Sequence, residues 1–527
     1  MKALHTRKKT VGKEIGKKCC TVILYTAFIV LMILAISQKK NFFADEIYSY
    51  SLSNNLGRIS LIFEDGVEYD TRELFRNYLT ADAEHRFDFE NVWYNQTKDV
   101  HPPFYYIFLH SFSSLFPETF SIWFAGAVNI IFAVLTLWLI RKMCRNLTEN
   151  PWIEWAVTLS FVLSAGTLSA VTFFRMYIVG MFAVMSLSYP LMKALSGEKT
   201  DKKWYVLVAL STMMGALTHY YCTAFAVLIS IVFAIILLIK RKFKTLTGFC
   251  MTQAISGVLS VVIFPGMIRH IFFGYRGNQA VDNLFTLSDY AQRLEVFFDF
   301  LNTQVFGGLL IPVLYAILLF VIGWLFFGKK KDAHAGVLAC KYIMIFVSAS
   351  LYFFLISKIA AFQKDRYIFP IYPLVLVGVL CFGFDVILGL IKSKAKYFVV
   401  YAFVGMLLFG TWQKVPWEYL YEDSVEFLEM AESHAGKKCV CIYEKNYQLS
   451  GLYKEVINYD SIIFLNYENM DLLKEIAIED EELLVISVGV VEKFEYARKV
   501  MVEYPQLTAM KELGQSASGI TYLLYSE

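Results

Sequence analysis

The chain has 527 residues, of which 57% are hydrophobic and only 18% are charged, a composition that excludes an ordinary soluble globular protein and predicts a polytopic membrane protein. The net charge of +3 conceals an asymmetry, because residues 413–527 hold ten Lys and Arg against twenty-one Asp and Glu, a net charge of −11, which leaves +14 for the remainder. We therefore expect residues 413–527 to form a separate acidic domain in contact with water.

The N-terminal residues 1–18 are rich in lysine and arginine, and an apolar run to Ser37 follows them. The run is long and lacks a small-residue cleavage site, so a retained signal anchor is favoured over a cleaved signal peptide. The positive-inside rule then predicts a cytoplasmic N-terminus.

The stretch NFFADEIYSYSLSN follows this first span and contains the adjacent carboxylates Asp45 and Glu46. Carboxylates at the edge of a membrane are costly to desolvate unless they have a partner or a task. Residues 38–118 are predicted to form a large outer loop, in which His101 and two prolines mark the return of the chain to the membrane. The apolar segment 101–116 is short for a span, and we interpret it as a juxtamembrane or half-inserted helix.

Ten further apolar runs have about the length that a bilayer requires, which makes eleven predicted transmembrane helices with the first. They lie at 119–140, 152–173, 176–195, 204–221, 222–239, 246–264, 304–327, 342–360, 369–391 and 397–412. Basic clusters fall in alternate connections, at 141–145, 199–203, 240–244, 329–331 and 392–396. If these clusters are cytoplasmic, the positive-inside rule holds at every loop and the intervening loops share the outer side.

After residue 412 the pattern changes to short apolar runs that alternate with amphipathic helical stretches. The runs are KKCVCIY, SIIFLNY, ELLVISVGV and TYLLYS. Strands alternating with helices predict a small α/β domain over residues 413–527. We thus expect a cytoplasmic N-terminus (1–18), a transmembrane domain (19–412) and an extracytoplasmic C-terminal domain (413–527).

Five motifs carry a resemblance to a known family. They are the Asp-Glu pair after the first span, HPP at 101–103, FFRMY at 173–177, THYY at 218–221 and DRYIFPIYP at 365–373. In order and in common sidedness they resemble the GT-C superfamily of membrane glycosyltransferases, in its protein O-mannosyltransferase-like and aminoarabinose-transferase-like branch, glycosyltransferase family 39 in the broad sense. The resemblance covers roughly residues 20–375.

The resemblance implies transfer of a sugar from a polyprenyl phosphate to an acceptor at the outer face of the membrane, usually with inversion. We expect this membrane to be a bacterial plasma membrane. An acceptor hydroxyl needs a carboxylate base, and a phosphate leaving group needs cationic or hydrogen-bonding partners. The candidate catalytic residues are Asp45 and Glu46. The candidate substrate-binding residues are His101, Arg175, Tyr177, His219, Tyr220, Arg269, Arg366 and Tyr367.

Each candidate also has a structural interpretation. The two carboxylates could cap a helix or be solvated, the arginines could be interfacial anchors, and the intramembrane Asp385 suits a buried structural acid. A divalent metal at Asp45, Glu46, His101 and His219 stays open. Alternative functions are a flippase or transporter, or a polymerase or ligase, of lipid-linked sugars. Nucleic acid is excluded as a partner, while the sugar and the acceptor are not specified.

Overall fold

The structure is a computed structural model that describes residues 2–527 except 58–59, 287, 316–317, 319–332, 392, 394, 415–417 and 517–518. The helices of the described residues are numbered here in chain order. They are α1 (Lys2–Ser37), α2 (Ala44–Asn54), α3 (Thr71–Leu79), α4 (Phe89–Lys98), α5 (Phe104–Leu115), α6 (Ile122–Leu147), α7 (Pro151–Leu163), α8 (Ala165–Thr172), α9 (Tyr177–Leu195), α10 (Lys202–Thr218), α11 (Tyr220–Ile239), α12 (Phe243–Ile263), α13 (Gly266–Phe272), α14 (Tyr275–Phe285), α15 (Tyr290–Phe306), α16 (Ala333–Ile359), α17 (Tyr372–Leu390), α18 (Ala395–Lys414), α19 (Val425–Ser433), α20 (Tyr453–Val456) and α21 (Lys493–Glu503).

The prediction of a multi-pass membrane protein is confirmed. Within the described ranges, eight helices are long and apolar enough to cross a bilayer, and α7 with α8 makes a ninth if this pair, bent by 48°, is one span. The predicted span at 204–221 is the 17-residue α10. The predicted span at 304–327 lies largely outside the described residues, and its first part is not continuous, because α15 ends at Phe306.

The segment interpreted as half-inserted forms α5, a helix of only 12 residues. At 1.5 Å per residue such a helix is about 18 Å long, well short of a hydrocarbon core of roughly 30 Å. Pro103 immediately precedes the helix, where a missing N–H group leaves no hydrogen bond unmade. The topology prediction requires that this segment does not cross the membrane, and a helix of this length is too short to do so.

Two helix boundaries position the candidate site. Helix α8 ends at Thr172 and α9 begins at Tyr177, so Arg175 lies in a short break between them. Helices α10 and α11 meet at His219, whose side chain accepts a hydrogen bond from the Tyr221 N–H as a helix N-cap. Both breaks present polar side chains at helix ends, where the backbone is free to turn.

The C-terminal part forms the predicted α/β domain, built on a six-stranded sheet. The strands are β1 (Glu68–Asp70), β2 (Lys438–Tyr443), β3 (Ser461–Asn466), β4 (Glu482–Val488), β5 (Ala509–Gln515) and β6 (Gly519–Tyr525). Their order is β1-β3-β2-β4-β6-β5, with β3, β2 and β4 parallel and the outer pairings antiparallel.

The first strand of this sheet comes from the outer loop. Glu68 pairs with Ile463 and Asp70 with Ser461, so β1 extends the sheet at its β3 edge. One face of the sheet joins the main apolar core of the membrane helices and the outer loop, while the other face packs on α21 in a core of its own. The outer loop and the C-terminal domain are therefore one packed unit above the helices.

Candidate active site

Asp45 lies in the first turn of α2, at the point where the outer loop leaves the first span. Its Oδ2 is 3.4 Å from Nη2 of Arg366, and 38% of its side chain is exposed. The Arg366 guanidinium itself is buried and lies over the rings of Phe43, Phe173 and Tyr367 at 5.2 to 5.5 Å. Asp45 is thus held by a cation on one side while it stays accessible to an incoming molecule.

Arg175 also contacts Asp45 and is 3% exposed. Its Nη1 donates to the Asp45 carbonyl oxygen at 3.0 Å and to Ser49 Oγ at 3.2 Å. The same nitrogen lies 3.1 Å from Tyr106 Oη, which can accept from it, and Nη2 lies 3.4 Å from His101 Nε2. The Arg175 guanidinium is therefore fixed beside the backbone of Asp45, while the Arg366 guanidinium contacts the Asp45 carboxylate.

Both guanidinium groups retain an unused donor. The Nε atoms of Arg175 and Arg366 are buried and have no hydrogen-bond partner among the described residues. Buried N–H groups are nearly always hydrogen-bonded, and a buried cation is costly without a counter-charge. These two buried N–H groups are donors that an anionic ligand beside Asp45 can use.

Glu46 differs from its neighbour because it is fully buried. Its carboxylate pairs with Lys39 Nζ at 2.9 Å and accepts the N–H groups of Phe43 and Phe174, each at 2.8 Å. The bond to Phe43 satisfies the backbone N–H of the residue that precedes α2. Burial raises the pKa of Glu46 and lowers that of Lys39, while their mutual attraction opposes both shifts. These contacts fit a carboxylate that positions α2 rather than one that meets a substrate.

His101 is oriented by Asp99, a residue that the sequence analysis did not single out. His101 Nδ1 donates to Asp99 Oδ2 at 2.7 Å, which leaves Nε2 free to accept from Arg175. Although burial raises the pKa of Asp99, His101 and Arg175 outweigh it and hold that pKa below its usual value. The position of Asp99, two residues before the HPP motif, was the available signal.

The aromatic candidates form a wall beside this cluster. The His219 ring lies 5.7 Å from His101 and 5.5 Å from Tyr177, and Tyr177 lies 6.4 Å from Tyr367. Since Nδ1 of His219 accepts the Tyr221 N–H, a neutral ring carries its proton on Nε2. The structure thus brings His101, Tyr177, His219 and Tyr367 together around the two arginines.

Tyr220 and Arg269 are placed differently. Tyr220 Oη lies 2.7 Å from Nδ1 of His270, whose Nε2 is 3.4 Å from the Thr97 carbonyl oxygen. This link joins α11, α13 and α4. Arg269 is exposed and makes no hydrogen bond or ion pair with the cluster in the part of the chain that the structure describes. The neighbouring His270 is the buried member of that pair.

Asp365 fixes the backbone that carries Arg366 and was also missed. It is 1% exposed and accepts hydrogen bonds from the Arg366 N–H at 2.7 Å and from Gln304 Nε2 at 2.7 Å. Tyr419 Oη donates to the same carboxylate at 2.5 Å. Its place directly before Arg366 in the DRY sequence was the only local hint.

No group of three or more His, Cys, Asp and Glu side chains is arranged to hold a metal ion among the described residues. Of the four residues considered as ligands, Glu46 has its oxygens engaged by Lys39 and backbone N–H groups. Asp385, in α17, accepts from Thr148 Oγ1 at 2.9 Å, at the C-terminal end of α6, and this bond involves no residue of the cluster.

The chain is a multi-pass helical bundle with a large first loop and a small C-terminal sheet, and its fold is of the GT-C type. The likeness is to the crystal structure of ArnT from Cupriavidus metallidurans bound to undecaprenyl phosphate, with a TM-score of 0.55 and 10% identity over 95% of this chain and 97% of that one. The apo structure of the same ArnT gives a TM-score of 0.54 and 11% identity over 96% and 98%. No protein-family model and no curated protein sequence matches the chain. At this identity the comparison establishes the fold, and function has to be argued from the site.

Proposed function

We propose that the protein is a glycosyltransferase that moves a sugar from a polyprenyl phosphate donor to an acceptor hydroxyl at the outer face of the membrane. The observation that carries the proposal is the half-exposed Asp45, whose carboxylate pairs with the buried Arg366 and whose carbonyl oxygen accepts from the buried Arg175. Each arginine has an unpartnered Nε–H among the described residues. A base next to a paired anion site is what such a transfer needs.

The chemistry assigns one task to each group. As the acceptor oxygen forms its bond to the anomeric carbon, the bond from that carbon to the phosphate oxygen breaks, and the polyprenyl phosphate leaves with the electron pair. Asp45 takes the proton of the acceptor hydroxyl. Arg175 and Arg366 meet the charge that develops on the phosphate, which a guanidinium does better than an ammonium because its planar fork can bind two oxygens. A single displacement of this kind inverts the anomeric carbon.

The other residues support these groups. His101, held by Asp99, offers a further polar contact beside Arg175, and the rings of Tyr177, His219 and Tyr367 supply an apolar wall for a sugar. The structural neighbour was crystallised with undecaprenyl phosphate, which supports a lipid phosphate as the ligand class. The sugar and the acceptor are left open by this set of contacts.

The experiment measures turnover of a donor that carries one label on the sugar and another on the undecaprenyl phosphate. Full-length protein in proteoliposomes receives undecaprenyl phosphate carrying a labelled sugar, with a membrane extract of the source organism as acceptor. A transferase releases free undecaprenyl phosphate and labels the extract. If the intact donor instead crosses the bilayer without release, the protein is a transporter and the proposal fails.

A further inference from the structure

Residues 419–421, here called the linker segment, lead from the last span, α18, into the C-terminal domain. The proposed mechanism gives this segment no task, yet Tyr419 and Leu420 are only 5% and 1% exposed. A connection between two domains ordinarily runs over the surface and makes few buried contacts. The linker segment is therefore held by specific contacts with the rest of the protein.

Tyr419 contacts the part of the site that carries Arg366. Its hydroxyl donates to Asp365, which also accepts the Arg366 N–H. Its ring stacks on Phe173 at 4.2 Å, and Phe173 lies under the Arg366 guanidinium at 5.5 Å. One side chain of the linker segment therefore touches both supports of the second arginine.

The backbone of the same segment contacts the part of the site that carries Asp45. Lys39 Nζ donates to the Tyr419 carbonyl oxygen at 2.6 Å while it pairs with Glu46 at 2.9 Å. The Lys40 N–H donates to the Leu420 carbonyl oxygen at 2.8 Å. Glu46 holds the first turn of α2, so this contact reaches the turn that carries Asp45.

Lys39 also connects the segment to the break that carries Arg175. Its Nζ donates to the Thr172 carbonyl oxygen at 3.2 Å, and Glu46 accepts the N–H of Phe174, the residue before Arg175. The side chain of Lys39 is 1% exposed and lies between the rings of Phe174 and Tyr421, each within 5 Å of Nζ. A buried ion pair is stabilising only when such additional bonds satisfy it, and its geometry is correspondingly fixed.

We propose that the linker segment is a strap that holds the two halves of the site in register, with Tyr419 and Lys39 as positioning residues. Tyr419 fixes Arg366 through Asp365, and Lys39 fixes Asp45 and Arg175 through Glu46. Docking of the C-terminal domain, which continues from this segment, is thereby coupled to the geometry of the anion site. The coupling rests on contacts alone, and its consequence for lipid phosphate binding rests on the proposed function.

The first test needs no ligand. Amide hydrogen exchange of the full-length protein is compared for the parent, Tyr419→Phe and the matched control Tyr504→Phe. The Tyr504 hydroxyl, in the C-terminal domain, donates to the carbonyls of Leu473 and Ile476, so its loss removes similar bonds away from the strap. Loss of a bond to a carboxylate predicts exchange about tenfold faster at Arg366 and Ile368 in Tyr419→Phe, and no change there in Tyr504→Phe.

A second variant covers a failure of Tyr419→Phe to fold. Tyr421→Leu removes the ring that lies 4.8 Å from Lys39 Nζ, and the strap predicts faster exchange in the first turn of α2, at residues 44–47. Exchange at these sites that equals the parent's in a folded strap variant, or that rises equally in Tyr504→Phe, overturns the strap.

The second test measures the affinity of the same proteins for undecaprenyl phosphate. We expect Tyr419→Phe to bind it roughly tenfold more weakly and Tyr504→Phe to bind it as the parent does. If the parent binds but Tyr419→Phe binds equally well, Tyr419 has a structural role only and the positioning proposal is wrong. If the parent does not bind the lipid at all, the proposed function fails, while the exchange results still decide whether the strap exists.

Discussion

At the scale of single residues, the two arginines differ from interfacial anchors. An anchoring arginine extends its head group into water, whereas Arg175 and Arg366 are 3% and 6% exposed and each keeps a buried Nε–H without a partner among the described residues. Replacing either by alanine should therefore weaken binding of undecaprenyl phosphate about ten- to a hundredfold, because a hydrogen bond to a charged group contributes about 1.5–3 kcal/mol. Lysine should restore part of the affinity, since it supplies charge without the fork.

The matched control for this binding measurement is Arg145→Ala. Arg145 pairs with Glu154 near the C-terminal end of α6, about 24 Å along this helix from Asn129, whose side chain donates to the Phe173 carbonyl oxygen beside the candidate site. Its loss should leave the affinity unchanged. Parent-like binding by folded Arg175→Ala and Arg366→Ala would show that neither arginine holds the lipid phosphate.

The sequence analysis selected the candidate site residues that are charged and lie beside an apolar span, where burying a charge costs free energy. Asp45, Arg175 and Arg366 each lie at the end of an apolar span. A charged residue in that position indicates a candidate site from the local sequence alone. Lys39, Asp99 and Asp365 could not be assigned in this way, because none of them is recognisable before its partners are placed. The partners of Lys39 include Thr172 and Tyr419, 133 and 380 residues away. Lys39 in particular looks like an ordinary flanking lysine until Glu46 and Tyr419 are placed around it.

At the scale of elements, the C-terminal sheet carries a titratable group in its interior. Glu455 in α20 accepts a hydrogen bond from Thr521 in β6, and burial raises its pKa to about 7, an effect that the Thr521 bond partly offsets. A folded-state pKa above the unfolded value means that the native state binds more protons, so stability falls as pH rises from about 4.5 to about 7 and is constant above that. Glu455→Gln should remove this fall, worth at most about 3 kcal/mol.

Calorimetry of the full-length protein in nanodiscs at pH 5 and pH 8 measures this effect. The parent's C-terminal transition should move to lower temperature at pH 8, whereas that of Glu455→Gln should move less. Equal movement in the two proteins would mean that Glu455 is not the group responsible.

The strands were predictable in proportion to their burial. β2, β3 and β4 are nearly continuous apolar runs because both faces of a central parallel strand are covered. The sequence analysis missed β5 because AMKELGQ is a half-exposed edge strand with charged residues, and it missed β1 because this strand has only three residues. The partner of β1, β3, lies almost four hundred residues further along the chain, and no local pattern encodes such a pairing.

At the scale of the whole molecule, the pairing of β1 with β3 constrains the topology. It places the outer loop and the C-terminal domain on the same side of the membrane. An ion cluster of Arg141, Arg145 and Glu154 lies at the helix ends that flank a predicted cytoplasmic loop. A reporter fused after Lys244 should therefore stay cytoplasmic, and one fused at the C-terminus should lie outside.

A fusion after Lys331 should also stay cytoplasmic by the lysine pattern, although this residue lies outside the described ones. Protease protection or reporter activity in intact cells reads all three positions. A C-terminal reporter on the side of the Lys244 reporter would contradict the predicted topology, and an external signal after Lys331 would contradict the predicted span count.

The central claim is that Asp45 is the base of a transfer from a lipid phosphate. Its most direct test compares the rate of undecaprenyl phosphate release from the labelled donor by the parent, Asp45→Asn and Glu46→Gln in proteoliposomes. Asp45→Asn keeps shape and hydrogen bonding but loses proton affinity, so release should fall about a hundredfold to ten-thousandfold while undecaprenyl phosphate is still bound. Release by Asp45→Asn within a few-fold of the parent rate, with a folded Glu46→Gln inactive, would contradict the account and move the base to the buried neighbour.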